Sequence, residues 1–168
     1  AYIELLDQLA HDIEDREQQL GVLETLLAKR KMDRDVFIAG RPVKKGWMSS
    51  AFGKRADPIT GKRAWHDGVD FAGKDGADVI SVAAGVVVYA DTRNGYGKMV
   101  EINHGGGYST RYGHHKDLKV KSGDIVRKGE VIGLMGSSGR STGPHVHFEV
   151  FKNGRIVDPS TYIRRTSR

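Results

Sequence analysis

From Tyr2 onward, apolar side chains return at alternating intervals of four and three: Tyr2, Leu6, Leu9 and Ile13, then Leu20, Leu23 and Leu27, with Arg16 in the same phase. This period predicts one long helix over residues 1–32 with a coiled-coil-like a/d seam. A seam of four heptads weakened by Arg16 and Gly21 predicts a partner helix, from elsewhere in a longer chain or by self-association of a second copy. The alternative is a solvated amphipathic helix packed on the rest of the chain. Residues 33–47, with Gly40, Pro42 and Gly46, interrupt the period and read as a linker.

Beyond Trp47 the pattern changes. Short β-branched or aromatic runs alternate with glycine turns: VISVAAGVVVYA, KMVEINH, GYSTRYGHH, LKVKSGDIV, EVIGLMG and HVHFEVFKNG. With no helical period between them, they predict a mainly β domain over residues 48–160, an antiparallel β-sandwich or open barrel. Residues 161–168 (TYIRRTSR) then form a basic C-terminal tail.

Composition sharpens this division. Residues 1–40 hold 9 Asp/Glu against 5 Lys/Arg, residues 41–168 hold 12 against 22, and 20 of the 22 glycines lie in the second part. The basic excess suits a solvated face or an anionic polymer. Nucleic acid is not an expected partner, because no helix-turn-helix, zinc-finger or aromatic RNA-binding signature accompanies it. Absence of cysteine excludes disulfides, thiolate metal sites and a thiol nucleophile. The longest mostly apolar run, Val79 to Ala90, covers 12 residues, short of the roughly 20 that a membrane-spanning helix needs. Ala1 to Leu9 carries acidic rather than basic residues and starts inside a helix, so it is not read as a signal peptide; the chain reads as a fragment, with any anchor or signal upstream.

Candidate chemistry gathers on histidine. His145 and His147 lie two apart in a predicted strand, where side chains two apart share a face. His66 and Asp70 lie four apart around Gly68, in a segment predicted to be extended or looped. Neutral imidazole and carboxylate are zinc ligands, and a catalytic zinc takes three protein ligands and leaves one position for water. His66, Asp70 and one histidine of the second pair would make such a set. Each fragment alone is weak: about 0.6 chance matches to H-x-x-x-D are expected for 7 His and 14 Asp in 168 residues. His11 with Asp15 is a decoy of this kind, better explained as an ion pair on the helix. His104, in Asn103-His104-Gly105-Gly106, falls in a hairpin turn and is left out of the site.

Together, Ser50-Ala51-Phe52-Gly53, Pro58-Ile59-Thr60-Gly61, His66-x-Gly-x-Asp70, Gly105 to His114 (GGGYSTRYGH) and Gly139 to Glu149 (GRSTGPHVHFE) resemble the lysostaphin-like, or LytM-type, zinc peptidases over about residues 48–160. The resemblance implies that His66, Asp70 and His147 bind one Zn2+ and that His114 and His145 are the catalytic imidazoles, with their division of labour open. In this family an apolar residue follows the first catalytic histidine, whereas here His115 follows. The spacing from Tyr112 favours His114, and alternation along the strand would turn His115 away.

The implied function is a zinc endopeptidase that cuts peptide cross-links of peptidoglycan stem peptides, of the D,D type, in the periplasm or cell envelope, outside the cytoplasmic membrane. Zinc held by two imidazoles and a carboxylate keeps a net charge of about +1 and lowers the pKa of bound water to about 7. One second imidazole could then take the proton and the other stabilise the oxyanion. The alternative is a non-catalytic or autoinhibited domain that regulates other wall hydrolases. Relatives of that type lose ligands, and this chain keeps every one. Autoinhibition would use residues 33–47, with Lys44, Lys45 and Trp47, as a strap across the groove. Leu118 to Gly133 (LKVKSGDIVRKGEVIG) resembles the hairpin of biotin- or lipoyl-carrier domains, but LMGSSGRS after it contains no lysine to modify. That likeness concerns β-hairpin architecture alone.

Overall fold

The computed structural model describes residues 2–164, which separate into two compact units, one ending at Arg34 and one beginning at Asp35. The first unit is formed by α1 (Tyr2–Val36), whose last two residues belong to the second; the helix buries no side chain, and its Glu4 and Arg34 complement the helix dipole at the two ends. The helix continues four residues past the predicted end, because Asp33 to Val36 contains neither glycine nor proline, and Gly40 follows at φ 99°.

The second unit holds β1 (Trp47–Ser50), β2 (Gly53–Ala56), β3 (Arg63–His66), β4 (Val69–Ala72), β5 (Asp78–Ile80), β6 (Gly85–Arg93), β7 (Gly97–Gly105), β8 (Tyr108–Leu118), β9 (Ile125–Val126), β10 (Val131–Met135), β11 (His145–Lys152), β12 (Arg155–Val157) and α2 (Ser160–Ile163). Ten strands form one antiparallel sheet along β1-β4-β11-β8-β7-β6-β9, with β10 on β8 and β5, and β12 on β11. The path ends at β1 and β9, so the sheet stays open, while β2 and β3 form a separate hairpin.

Strand alternation makes the core. Val69 and Phe71 of β4, with Val146, Phe148 and Val150 of β11, join Val100, Ile102, Tyr112 and Ile132 in one fully buried cluster. The residues between them, Asp70 on β4 and His145, His147 and Glu149 on β11, therefore occupy the opposite face. The run Val79–Ala90 divides into β5 and β6 instead of forming one strand. Ser81 Oγ donates to the Ala83 carbonyl at 2.6 Å, and the Val82 amide donates to Tyr112 Oη at 3.1 Å.

Of residues 33–47, Ile38, Ala39 and Val43 are buried, and Val43 bridges Val79. The Ile80 amide donates to the Pro42 carbonyl at 2.8 Å, and the Ala84 amide to the Asp35 carbonyl at 2.6 Å. Residues 38–43 are therefore packed into the β unit instead of forming a free linker. At the other end, residues 161–163 lie in α2 with Tyr162 buried, and the rest of the expected tail, residues 165–168, lies outside the described residues.

Candidate active site

β11 runs between β4 and β8, and its register sets His147 opposite Asp70 on one side and Gly113 on the other. His66 arrives at the end of β3, on the separate hairpin. Gly68 lets it approach: a Cβ there would strike the Phe148 carbonyl oxygen and lie 2.8 Å from His147 Cε1. The glycine of H-x-G-x-D thus meets a packing requirement.

Hydrogen bonds fix the tautomers of His66 and His147. His66 Nδ1–H donates to the Ala51 carbonyl at 2.8 Å, which leaves Nε2 as a lone pair. His147 Nε2–H donates to Glu149 Oε1 at 3.0 Å, which leaves Nδ1. These two nitrogens stand 3.1 Å apart, and Asp70 Oδ1 lies 3.2 Å from His66 Nε2 and 2.8 Å from His147 Nδ1. Lone pairs facing one another so closely repel unless a cation or proton stands among them. Ligands at about 2.0–2.1 Å in a tetrahedron are roughly 3.3 Å apart, so the separations and the N2O donor set fit Zn2+. Among the described residues this is the one His/Asp group that could hold a metal ion.

The electrostatics favour positive charge at the same point. Burial would raise the Asp70 carboxyl, but hydrogen bonds with His147 and His66 outweigh it and hold the group well below the usual carboxylate range. Burial would lower His147, but Asp70 and Glu149 overcome it and push the imidazole up to about 9. Arg55, 3.5 Å from Asp70 Oδ2, leaves Oδ1 to the cluster.

His114 and His145 stand beside this group with ring centroids 4.6 Å apart. His114 sits at φ 66°, at a bulge in β8 where its amide donates to the Tyr96 carbonyl at 2.7 Å. Its Nδ1–H donates to the Ser138 carbonyl at 2.7 Å. Burial pushes the imidazole down to about 4, against the opposing effect of that hydrogen bond, so the ring is neutral near pH 7 with Nε2 unprotonated. His145 Nδ1–H donates to the Gly143 carbonyl at 2.8 Å, and its Nε2 lies 3.8 Å from Asp70 Oδ1. All five line a cleft of about 660 Å3, with Trp47, Ile59, Trp65 and Arg140 at its sides.

The other histidines fall elsewhere. His115 is fully buried against Gly133, where a Cβ would meet its Nδ1 at 2.5 Å, and it does not line the cleft. The bulge at His114, more than simple alternation, separates the two neighbours. His104 lies within β7, one residue before its end, instead of in the turn beyond it; its ring bonds the Ala84 carbonyl at 2.8 Å and Thr110 Oγ1 at 2.7 Å. His11 pairs with Asp15 at 3.8 Å on α1. Of residues 33–47, Trp47 alone among the described residues lines the cleft, and residues 38–43 do not cross it.

Sequence reasoning missed what surrounds the five. Glu149 is wholly buried and accepts hydrogen bonds from His147 Nε2 and, at 2.8 Å, from Tyr96 Oη. The period of two along HVHFE carries it onto the face of His145 and His147, a signal available in the sequence. Tyr96, Ser138 and the Gly143 carbonyl left no such signal, since turns and loops between the strands deliver them.

The sequence model of peptidase family M23 matches residues 64–159. Over 112 residues the chain is 44% identical to the DD-carboxypeptidase/endopeptidase Mpg of Neisseria meningitidis serogroup B, covering 67% of this chain and 26% of that protein. Over 120 residues it is 42% identical to the peptidoglycan DD-endopeptidase ShyB of Vibrio cholerae, covering 70% of this chain and 28% of that protein. A crystal structure of a zinc-containing peptidase from Vibrio cholerae superposes with a TM-score of 0.68 and 38% identity, over 77% of this chain and 40% of the other. The chain thus spans about a quarter of the length of the two curated relatives.

Proposed function

This chain belongs to peptidase family M23, and on that premise we propose that it is a zinc-dependent endopeptidase hydrolysing peptide cross-links of bacterial peptidoglycan, of the D,D type. Its place of action is the periplasm or cell envelope, outside the cytoplasmic membrane. The observation that carries the proposal is the convergence of His66 Nε2, Asp70 Oδ1 and His147 Nδ1 beside two further imidazoles at the floor of an open cleft. The relatives named as DD-endopeptidases support the substrate class.

In this reading His66, Asp70 and His147 hold one Zn2+ per chain. Zinc supplies Lewis acidity that polarises the scissile carbonyl and makes water reactive near neutral pH. His114, kept neutral by burial, accepts a proton from the attacking water through Nε2. Its Nδ1–H bond to Ser138 fixes the ring plane while it does so. His145, whose Nδ1–H is held by the Gly143 carbonyl, stands on the other side; with a proton also on Nε2 it would hydrogen-bond the oxyanion, and the proton that His114 takes from the water goes to the leaving amine. All five side chains that cleavage requires are present, which speaks against the non-catalytic reading. No described helix is long and apolar enough to cross a membrane. The exposed a/d seam of α1 favours a partner helix or self-association in the full assembly.

The test is incubation of the purified chain with peptidoglycan sacculi, with and without chelator, and mass spectrometry of the released fragments. Chelator-sensitive loss of cross-linked species is expected. His114→Ala should lower turnover by about 10²–10⁴-fold with zinc content unchanged. Intact cross-links after incubation with the zinc-loaded chain would refute the activity.

A further inference from the structure

We propose that Glu149, held by Arg111 and Tyr96, is a positioning residue that selects Nδ1 of His147 as the metal-facing nitrogen and tightens zinc binding. The inference rests on the assignment of His147 to the metal site, and goes beyond it by giving that ligand a dedicated support. Glu149 is fully buried, and a buried carboxylate costs several kcal/mol unless charge and hydrogen bonds compensate it. Its compensation is specific: Oε1 accepts from His147 Nε2 at 3.0 Å and from Tyr96 Oη at 2.8 Å, while Oε2 faces Arg111 Nη1 at 3.6 Å. Arg111 is fixed in turn by Glu101, 2.8 Å from its Nε, and by the ring of Phe151, 4.2 Å away. An alternating row of charges therefore runs from His147 out to Glu101.

Backbone geometry explains why the support is there. Glu149 is two residues beyond His147 on β11, and Arg111 is its cross-strand partner on β8, itself paired with Glu101 on β7. The three charged residues thus stand in register across adjacent strands. His66 makes the complementary choice through a backbone carbonyl, which any sequence could provide; His147 makes it through a side chain, which can be removed. A carboxylate on the far nitrogen orients the ring, fixes the tautomer and raises the electron density of the coordinating nitrogen.

The experiment measures zinc affinity by competition with a chromophoric chelator, together with ring-nitrogen NMR of His147, in the full chain and in Glu149→Gln, Glu149→Leu and Arg111→Met. The leucine variant is expected to bind zinc about 10–100-fold more weakly, with glutamine recovering part of the loss because its amide oxygen still accepts. With zinc bound, the wild-type ring should carry its one proton on Nε2, and the zinc-loaded leucine variant should show both tautomers. Should Glu149→Leu fail to fold, Glu149→Gln and Arg111→Met, both with weakened binding, decide the matter. Unchanged affinity and an unchanged tautomer in the folded variants would overturn the inference. Failure of the wild-type chain to bind zinc would instead overturn the metal site on which it rests.

Discussion

His114 and His115 are adjacent, chemically identical and opposite in fate. A positive φ at His114 turns one ring into the cleft and leaves its neighbour in the interior. Burial depresses both to about 4, yet only His114 lines the cleft, where the proposed mechanism uses its neutrality. For His115 the consequence is a stability term. Between its ordinary 6.5 and about 4 the unfolded chain holds a proton that the folded chain does not, so stability falls as pH drops through that window. The full depression corresponds to roughly 3 kcal/mol. His115→Leu, of similar bulk without the titrating group, should flatten the acid side of a melting-temperature profile between these values. An unaltered profile would show that other groups govern acid unfolding.

At the scale of elements, the hairpin β2–β3 and the strand β4 are joined through Gly68, and this short connection decides whether His66 meets Asp70 and His147. Gly68→Ala would drive a Cβ into the Phe148 carbonyl and the His147 ring. The variant should lose bound zinc, measured by metal analysis of the purified chain, and melt at lower temperature. The segment after α1 behaves as part of the sheet domain. Ile38 and Val43, each 3% exposed, contribute on the order of 1.5–3 kcal/mol apiece through burial. Removing residues 1–34 should leave the melting temperature of the β unit nearly unchanged, whereas removing residues 1–45 should lower it clearly. Equal melting temperatures for the two truncations would contradict the packing role of that segment.

For the whole molecule, charge is divided as the units are. Residues 1–40 carry 9 Asp/Glu against 5 Lys/Arg, and the later residues carry 22 Lys/Arg against 12 Asp/Glu. A net positive domain should be drawn to carboxylate- and phosphate-bearing wall polymers by a long-range attraction that salt screens. The screening distance shrinks from about 10 Å at 0.1 M to about 3 Å at 1 M ionic strength. Binding of the His114→Ala chain to sacculi, followed by co-sedimentation, should therefore weaken steeply as salt rises. Salt-independent binding would locate the affinity in the cleft instead.

The mainly β character, the long N-terminal helix and the family were legible in the sequence, because periods of 3.5 and 2 and short glycine-bounded motifs are local properties. The five proposed site residues were named from those motifs, and spacing alone justified placing His145 with His147 on one face. What the chain order could not contain was the lateral order of strands. That β11 lies between β4 and β8, that the sheet remains open, and that Arg111 meets Glu149 are decisions of tertiary pairing between residues up to 81 positions apart, as His66 and His147 are. The same holds for tautomers: Ala51, Ser138, Gly143 and Glu149 choose which nitrogen of each ring faces the cleft, and those choices exist only once the backbone around the site is folded. The run Val79–Ala90 and the arm at Ile38–Val43 show the limit from the other direction, since apolar composition announced burial without telling where a turn or a packed loop would replace a strand or a tether.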